Sequence, residues 1–293
     1  SYGLIGPAKA LTKHLLDTFP PERYGPNVSA PFILAYDPAI PDLDLKTFPN
    51  SRVFAGKFDG KEYPDGSGTV IWRSGWDEKA TVLLVEARNR YTGHQHADAG
   101  SFYLFHEGFL VTENAGKPNA ATEHHNTYLI DGEGMTSGNN PHQVYRKLEG
   151  TPFDDGDVLT HETSDLYTYA KFAFGRSYKA KPKVAQREIV VLDAGTALDE
   201  PLVVIADRVQ TVAETAKSFL MHTRAKPVGG GTPTITADDG TGRLFARILL
   251  PVGATWSGET NGDAYRNRIE SNGRNLESLA VLQASTTKTK KML

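Results

Sequence analysis

The stretch that decides the fold reads His94-Gln95-His96-Ala97-Asp98-Ala99-Gly100-Ser101-Phe102. In extended backbone, side chains two residues apart leave the same face, so His94, His96 and Asp98 can converge on one point. Gly93 and Gly100 bracket the run and allow the backbone to turn. A polar cluster between apolar segments is typical of a functional site. The same spacing also fits one histidine at a strand end and a second one in solvent.

Apolar runs lie on both sides of this stretch and predict strands. Residues 80–87 precede it, and residues 101–105 continue through Glu107 and Gly108 into residues 109–112 as a predicted hairpin. Similar runs, separated by Gly, Pro and Asp, occur at 52–58, 69–73, 127–130, 166–174, 187–192, 202–209, 218–222, 244–250 and 279–283. About a dozen short strands with turns between them favour a large antiparallel β-sandwich.

The first 48 residues have a different pattern. Leu11, Leu15 and Phe19 recur at helical spacing, and Pro20-Pro21 ends that pattern before a proline-rich connector. We therefore predict a mainly β protein, in which residues 1–48 form a helical end and linker and residues 49–293 form the sandwich. Because the chain begins at Ser1 rather than at a methionine, we expect a processed protein or part of a longer one.

Composition excludes several classes of function. The net charge is −3 over 293 residues, which gives no general attraction to nucleic acid or to an anionic membrane surface. No apolar run approaches the roughly 20 residues that span a bilayer. We therefore expect neither nucleic acid nor a membrane as a partner. The sequence also contains neither a glycine-rich phosphate loop nor a Gly-x-Ser-x-Gly nucleophile motif.

Histidines are concentrated in the middle of the chain. Six of the nine lie between residues 94 and 142, at positions 94, 96, 106, 124, 125 and 142. The chain has no cysteine, so a metal ion must be bound by His, Asp, Glu or Asn. Two histidines and a carboxylate are a common zinc site. Asp98 is expected to orient a histidine or cap a turn.

Several motifs follow one another in a fixed order over roughly residues 50–225. They are Arg73-Ser74-Gly75-Trp76-Asp77, the stretch at 94–102, Gly108, Gly116, His125-Asn126-Thr127, Leu129-Ile130-Asp131-Gly132-Glu133-Gly134, Tyr167-Thr168-Tyr169, Arg187-Glu188-Ile189-Val190-Val191-Leu192 and Asp207-Arg208. In this order they resemble the heparinase II/III-like polysaccharide lyases, with their alginate-lyase relatives. The ordered combination is far more specific than any single motif.

The resemblance implies a two-part bacterial enzyme that is periplasmic or secreted. An N-terminal α/α toroid precedes a large antiparallel β-sandwich, and the active cleft lies between them. This chain would hold the sandwich and the helical end of the toroid. The rest of the toroid, which supplies a catalytic tyrosine, is then expected as its partner on a separate or cleaved piece.

The resemblance also implies roles for individual residues. His94 matches the histidine of the cleft, His96 matches a ligand of one structural zinc ion, and His161 matches the second ligating histidine. The acidic ligand of the family falls on Asn114 by position, whereas the neighbouring Glu113 is the better zinc ligand chemically. Both residues remain candidates for the third ligand.

The implied reaction is β-elimination in a uronic-acid-containing polysaccharide of the heparin, heparan sulfate or alginate type. His125 and Asn126 match a pattern near the cleft and are implied to contact the substrate. His94 suits the role of base or carboxylate partner, because imidazole titrates near neutral pH. Two alternatives stay open, namely a non-catalytic sandwich that binds acidic glycans and a zinc-dependent hydrolase.

Overall fold

The computed structural model describes residues 13, 44–54, 57–58, 61–62, 68–77, 79–87, 96–112, 121–135, 156–178, 180, 182–193, 200–261 and 264–286. The chain divides into two compact units, residues 1–49 and residues 50–293. This division lies next to the predicted boundary between residues 48 and 49. The assignment of the first unit to the end of a toroid stays a prediction.

Little of the first unit is described. Lys13 is helical, and Leu45–Thr47 forms a short 3-10 helix. Asp44 caps this helix, because its side chain accepts a hydrogen bond from Lys46 N at 3.0 Å. Apart from Lys13, the helix that the sequence predicts around Leu11, Leu15 and Phe19 lies outside the described residues.

Two antiparallel sheets, with strands numbered in chain order, build the second unit. The first sheet has the order β1 (Ser51–Phe54), β4 (Thr69–Arg73), β5 (Val82–Glu86), β6 (Ser101–Phe105), β7 (Phe109–Thr112), β13 (Lys217–Thr223), β17 (Ala264–Ser271) and β16 (Ser257–Asn261), with β8 (Tyr128–Ile130) also paired to β13. The second sheet has the order β14 (Thr234–Asp238), β15 (Gly242–Leu250), β18 (Asn275–Thr286), β12 (Leu202–Gln210), β11 (Val184–Leu192), β10 (Tyr167–Ala173) and β9 (Asp157–Thr163).

The remaining described elements are short. A small ribbon pairs β2 (Lys57–Phe58) with β3 (Lys61–Glu62), and Thr122–His124 and Gly175–Ser177 form 3-10 turns. None of the helices in the described ranges is long and apolar enough to cross a lipid bilayer.

The two sheets bury apolar faces against each other. Along β11 and β12, buried residues alternate with partly exposed ones, as expected for strands that turn one face to a core. Side chains of both sheets line one small internal gap, with Val70, Trp72, Leu83, Val85, Thr168, Ala170, Ile189 and Val191 around it. Burial of each large apolar side chain contributes about 1.5–3 kcal/mol. The predicted antiparallel β-sandwich is confirmed.

Candidate functional site

The loop between β5 and β6 presents His96 and Asp98. At its end, Gly100 N donates a hydrogen bond to the carbonyl oxygen of Glu86 at 2.6 Å, and Ser101 N donates to that of Asp98 at 2.8 Å. The backbone therefore turns tightly just before β6 begins. Asp98 is almost fully buried, with 2% of its surface exposed.

A second segment, between the Thr122–His124 turn and β8, presents His125. His125 N donates to the carbonyl oxygen of Thr122 at 3.0 Å, and Thr127 N donates to that of His125 at 3.0 Å. These backbone hydrogen bonds fix the position of the residue, whose side chain is buried beside the first loop.

His96, Asp98 and His125 form one cluster. Each offers a ligand atom, and these atoms all lie within 4.8 Å of one another. The rings of His96 and His125 lie 5.1 Å apart, measured between centroids, and are inclined by 48°. Two imidazoles and a carboxylate are a donor set that zinc accepts, so this group could bind a metal ion.

Sequence spacing identified part of this cluster. Their spacing predicted that His96 and Asp98 converge, and both lie in the cluster, although on a loop rather than in a strand. The sequence did not indicate His125 as their neighbour in a metal site. The available signal was the concentration of histidines between residues 94 and 142, which does not say which of them meet.

Asn126, next to His125, joins the two segments. Its Nδ2 donates to the carbonyl oxygens of Phe102 at 2.6 Å and Thr112 at 2.7 Å. Its Oδ1 accepts from the backbone N of His222 at 2.7 Å and lies 3.1 Å from His222 Nδ1. The amide thus uses both donors and its acceptor inside the protein. This geometry gives Asn126 a structural role, and substrate contact by His125 or Asn126 stays a prediction.

The imidazole of His222 is buried, and Arg266, His124 and His125 lie near it. Its pKa is lowered to about 3. Burial is the largest cause, and interaction with His125, Arg266 and His124 makes smaller contributions. His222 is therefore neutral near pH 7. Since Asn126 Nδ2 already donates to two carbonyls, the Asn126 oxygen is the acceptor that faces both the backbone N–H and the Nδ1 of His222.

A buried ion pair contacts the backbone next to the cluster. Arg187 on β11 donates from Nε and Nη2 to the two carboxylate oxygens of Asp207 on β12, at 2.7 and 2.8 Å. Its Nη1 donates to the carbonyl oxygen of Asn126 at 2.7 Å and also to that of Gly100. Both side chains of the pair are completely buried.

Aromatic rings enclose this guanidinium. Its carbon lies 5.1 Å from the ring centre of Phe102, 5.4 Å from that of Phe219 and 6.0 Å from that of Tyr128. Burial alone would lower the pKa of Arg187, but the Asp207 carboxylate outweighs it and raises the pKa above its usual value. Arg187 is therefore a permanent cation inside the sandwich.

The remaining predicted residues lie elsewhere. His94, Glu113 and Asn114 are outside the described residues. His161 lies on β9, at the edge of the second sheet, and its Nε2 is 2.8 Å from Ser51 Oγ on β1, the edge strand of the first sheet. Burial lowers the pKa of His161.

The structure thus groups Asp98 and His125 with His96, and His161 is not in that group. Along the first sheet, β4 and β5 separate β1, which holds the hydrogen-bond partner of His161, from β6. A role of His161 in binding zinc stays a prediction.

Solved structures similar to this chain include a heparan sulfate lyase and heparinase III. The heparan sulfate lyase HepC from Pedobacter heparinus has a TM-score of 0.62 and 14% identity, over 96% of this chain and 43% of that chain. A mutant of HepC has a TM-score of 0.59 and 16% identity, over 79% and 39% of the two chains. Heparinase III has a TM-score of 0.55 and 14% identity, over 76% and 36%.

Comparisons at the level of sequence give no match. No protein-family model matches the chain, and no curated protein is significantly similar to it. The chain spans about two fifths of the length of the solved structures that it matches. At this identity the likeness establishes the fold alone, and the fold of this chain is that of the heparinase-type lyases that its sequence resembles.

Proposed function

We propose that this chain is the β-sandwich part of a polysaccharide lyase. The proposed substrate is a uronic-acid-containing polysaccharide of the heparin, heparan sulfate or alginate type, cleaved by β-elimination. The observation that carries the proposal is the fold shared with heparan sulfate lyase, together with the cluster of His96, Asp98 and His125. A polyuronate is an extracellular polymer, so the enzyme is proposed to be periplasmic or secreted.

The charge around the cluster supports an anionic substrate. Removal of the C5 proton of a uronic acid builds up negative charge on the adjacent carboxylate, which needs positive charge or hydrogen-bond donors close by. Arg266 supplies such a charge, since it is a permanent cation close enough to contribute to the low pKa of His222. A uronate carboxylate bound beside this group would find its charge compensated.

His94 is the proposed catalytic residue of this chain. It lies two residues before His96 in the sequence, and an imidazole can accept a proton near neutral pH. In the reaction, the base takes the C5 proton, the bond between C4 and the glycosidic oxygen breaks, and a C4–C5 double bond forms. An acid protonates the leaving oxygen. We propose that the acid is a tyrosine of an α/α toroid that completes the cleft.

We propose one structural zinc ion with His96 as a ligand. Asp98 and His125 complete a suitable donor set around it, whereas the family resemblance points to His161 with Asn114 or Glu113. The two sets share His96 and differ in everything else. When bound, zinc would join the loop before β6 to the segment before β8. Such a cross-link would hold the adjacent His94 in a fixed direction.

The test is the ultraviolet absorbance of unsaturated uronic acid, measured with the full-length protein that its gene encodes. Heparan sulfate and alginate are the substrates to compare. We expect the absorbance to rise with the wild-type protein. The rate of this rise should be at least about 100-fold lower for His94→Ala. The neighbouring Gln95→Ala is the control and should keep most of the rate.

Other outcomes would contradict the proposal. Binding of the polymer without any product would favour a non-catalytic glycan-binding module. Cleavage without a double bond, abolished at once by a chelator, would favour a zinc-dependent hydrolase. Full elimination by His94→Ala would remove His94 from the mechanism.

A further inference from the structure

We infer that Arg187, which lies on the opposite sheet, is a positioning residue. It fixes the distance between the two segments that carry the metal cluster. The inference rests on the metal site of the proposed function. Arg187 belongs to β11 of the second sheet, whereas the cluster lies on loops of the first sheet. Its effect on the cluster therefore passes through the backbone rather than through direct contact with a metal.

The contacts of Arg187 lie next to the cluster on both sides. The carbonyl of Gly100 follows Asp98 by two residues, and the carbonyl of Asn126 follows His125 by one residue. A single nitrogen, Nη1, donates to both carbonyls. Since one planar group bonds to both segments, a change in their separation must break or stretch one of these hydrogen bonds.

Asp207 fixes the direction of the guanidinium. It binds Nε and Nη2 with both carboxylate oxygens, so that Nη1 is the nitrogen left to point at the loops. The strands that carry the pair are adjacent, and Arg187 and Asp207 are direct neighbours in their register. The orientation of Nη1 is therefore set by the second sheet itself.

Three further hydrogen bonds join the same two segments. Asn126 N lies 3.1 Å from Ser101 Oγ, Asn126 Nδ2 donates to Phe102 O at 2.6 Å, and Thr127 Oγ1 donates to Ala99 O at 3.1 Å. These bonds connect the loops to each other only. Arg187 is different because it connects both segments to the second sheet.

Stability alone does not account for a charged pair at this position. Two buried charges lose their hydration, and replacing such a pair with apolar side chains of similar size is often neutral or stabilising. The apolar surroundings, with Phe102, Phe219 and Tyr128 around the guanidinium, would accept such a replacement. What an apolar pair cannot supply is the donor to the carbonyls of Gly100 and Asn126.

The experiment compares zinc affinity, by competition with a chromogenic chelator, in the full 293-residue chain and its variants. The double variant Arg187→Met with Asp207→Leu removes both charges together. We expect it to fold cooperatively, as judged by circular dichroism and urea unfolding. Its zinc dissociation constant should rise about 10- to 100-fold, as for other residues that orient metal ligands. Cobalt absorption spectra, which report the geometry of the ligands, should change as well.

Lys217→Met is the matched control, because it removes a different buried cation. Lys217 Nζ donates to Thr215 O at 3.1 Å and to Gly273 O at 2.5 Å, and the residue lies at the opposite end of β13 from His222. This variant should lose stability and keep both the zinc affinity and the cobalt spectrum of the wild type.

The outcomes separate the two proposals. Equal zinc affinity in the wild type and the double variant would overturn the role of Arg187 and leave the zinc site intact. A wild type without zinc affinity would overturn the site itself and this role with it. Should the double variant fail to fold, Arg187→Lys decides, since it keeps a cation but loses the two-pronged contact. Wild-type affinity and spectrum in that variant would also count against the inference.

Discussion

The aromatic ring of Phe174 fills the space in which Gly100 would carry a Cβ atom. A Cβ built on Gly100 would lie 2.5 Å from Phe174 Cζ, and the φ angle of Gly100 is +79°. Both facts require glycine, because other residues avoid positive φ and no real side chain tolerates such a contact. The tight turn after Asp98 therefore depends on the packing of Phe174, just after β10, against this loop.

Gly100→Ala should destabilise the protein by about 3 kcal/mol, since it combines backbone strain with a steric clash. Gly132→Ala is the control. Its φ angle is +73°, but nothing lies within 4 Å of its Cβ position, so it should lose only about 1 kcal/mol. Urea unfolding of the two variants measures the difference. Equal losses would show that Phe174 does not constrain the loop.

The sequence predicted those strands that are short apolar runs bounded by turn residues. β4, β6 and β7 have the bounds that the pattern predicts. The strands that it missed include β9, β14 and β16, and each of them lies at the edge of a sheet. An edge strand needs little apolar surface, because backbone pairing on one side holds it in place and polar side chains protect the other.

A different limit applies to β17, which is an interior strand. Its sequence, Ala264–Ser271, contains two arginines, an asparagine and a glutamate, so no alternation of apolar residues is visible. Several of these polar groups are paired in the fold. Arg266 and Arg268 both contact Glu259 of β16, and Asn267 Nδ2 donates to Met221 O of β13 at 3.0 Å. Such cross-strand partners cannot be read from a single segment.

In the candidate site, too, the sequence indicated contacts within one stretch but not contacts between distant segments. Spacing within one stretch indicated that His96 and Asp98 converge. Arg187 lies 87 residues from Gly100 and 61 residues from Asn126 along the chain, and its contacts are with backbone carbonyls. No pattern of side chains records which carbonyls a buried arginine reaches. The motif resemblance included Arg187 and Asp207 but gave them no role.

The ligands of the proposed zinc ion can be identified by substitution. We expect His125→Ala to weaken zinc binding by more than about 100-fold, because loss of a ligand exceeds the loss of a residue that only orients one. His161→Ala should leave the affinity unchanged, since the His161 ring lies beside Ser51 and outside the cluster. Metal content after gel filtration and chelator competition provide the measurement.

The opposite result is equally informative. Zinc loss in His161→Ala, with retention in His125→Ala, would establish the ligand set implied by the family resemblance. His96→Ala belongs to both sets and should release zinc in either case. Circular dichroism of all three variants controls for unfolding.

A last prediction concerns His106, a buried histidine outside the site. Its Nδ1 lies 2.9 Å from Thr81 Oγ1, and its Nε2 has no hydrogen-bond partner among the described residues. Burial lowers its pKa, although the nearby Glu107 opposes this shift. The folded protein therefore binds the proton less readily than the unfolded chain, in which the pKa is about 6.5. The free energy of unfolding should fall as the pH drops below that value.

His106→Gln removes this titration and should flatten the dependence of stability on pH between about pH 8 and pH 5.5. Other histidines with lowered pKa values contribute equally to the pH dependence of stability in both proteins. The difference between the two curves therefore isolates the contribution of His106. Urea unfolding at several pH values measures the curves, and the ring resonances of His106 give its midpoint directly. A midpoint at or above the usual histidine value, or parallel curves for the two proteins, would contradict the prediction. A flatter curve would instead show that a neutral, buried His106 lowers the acid stability of the sandwich.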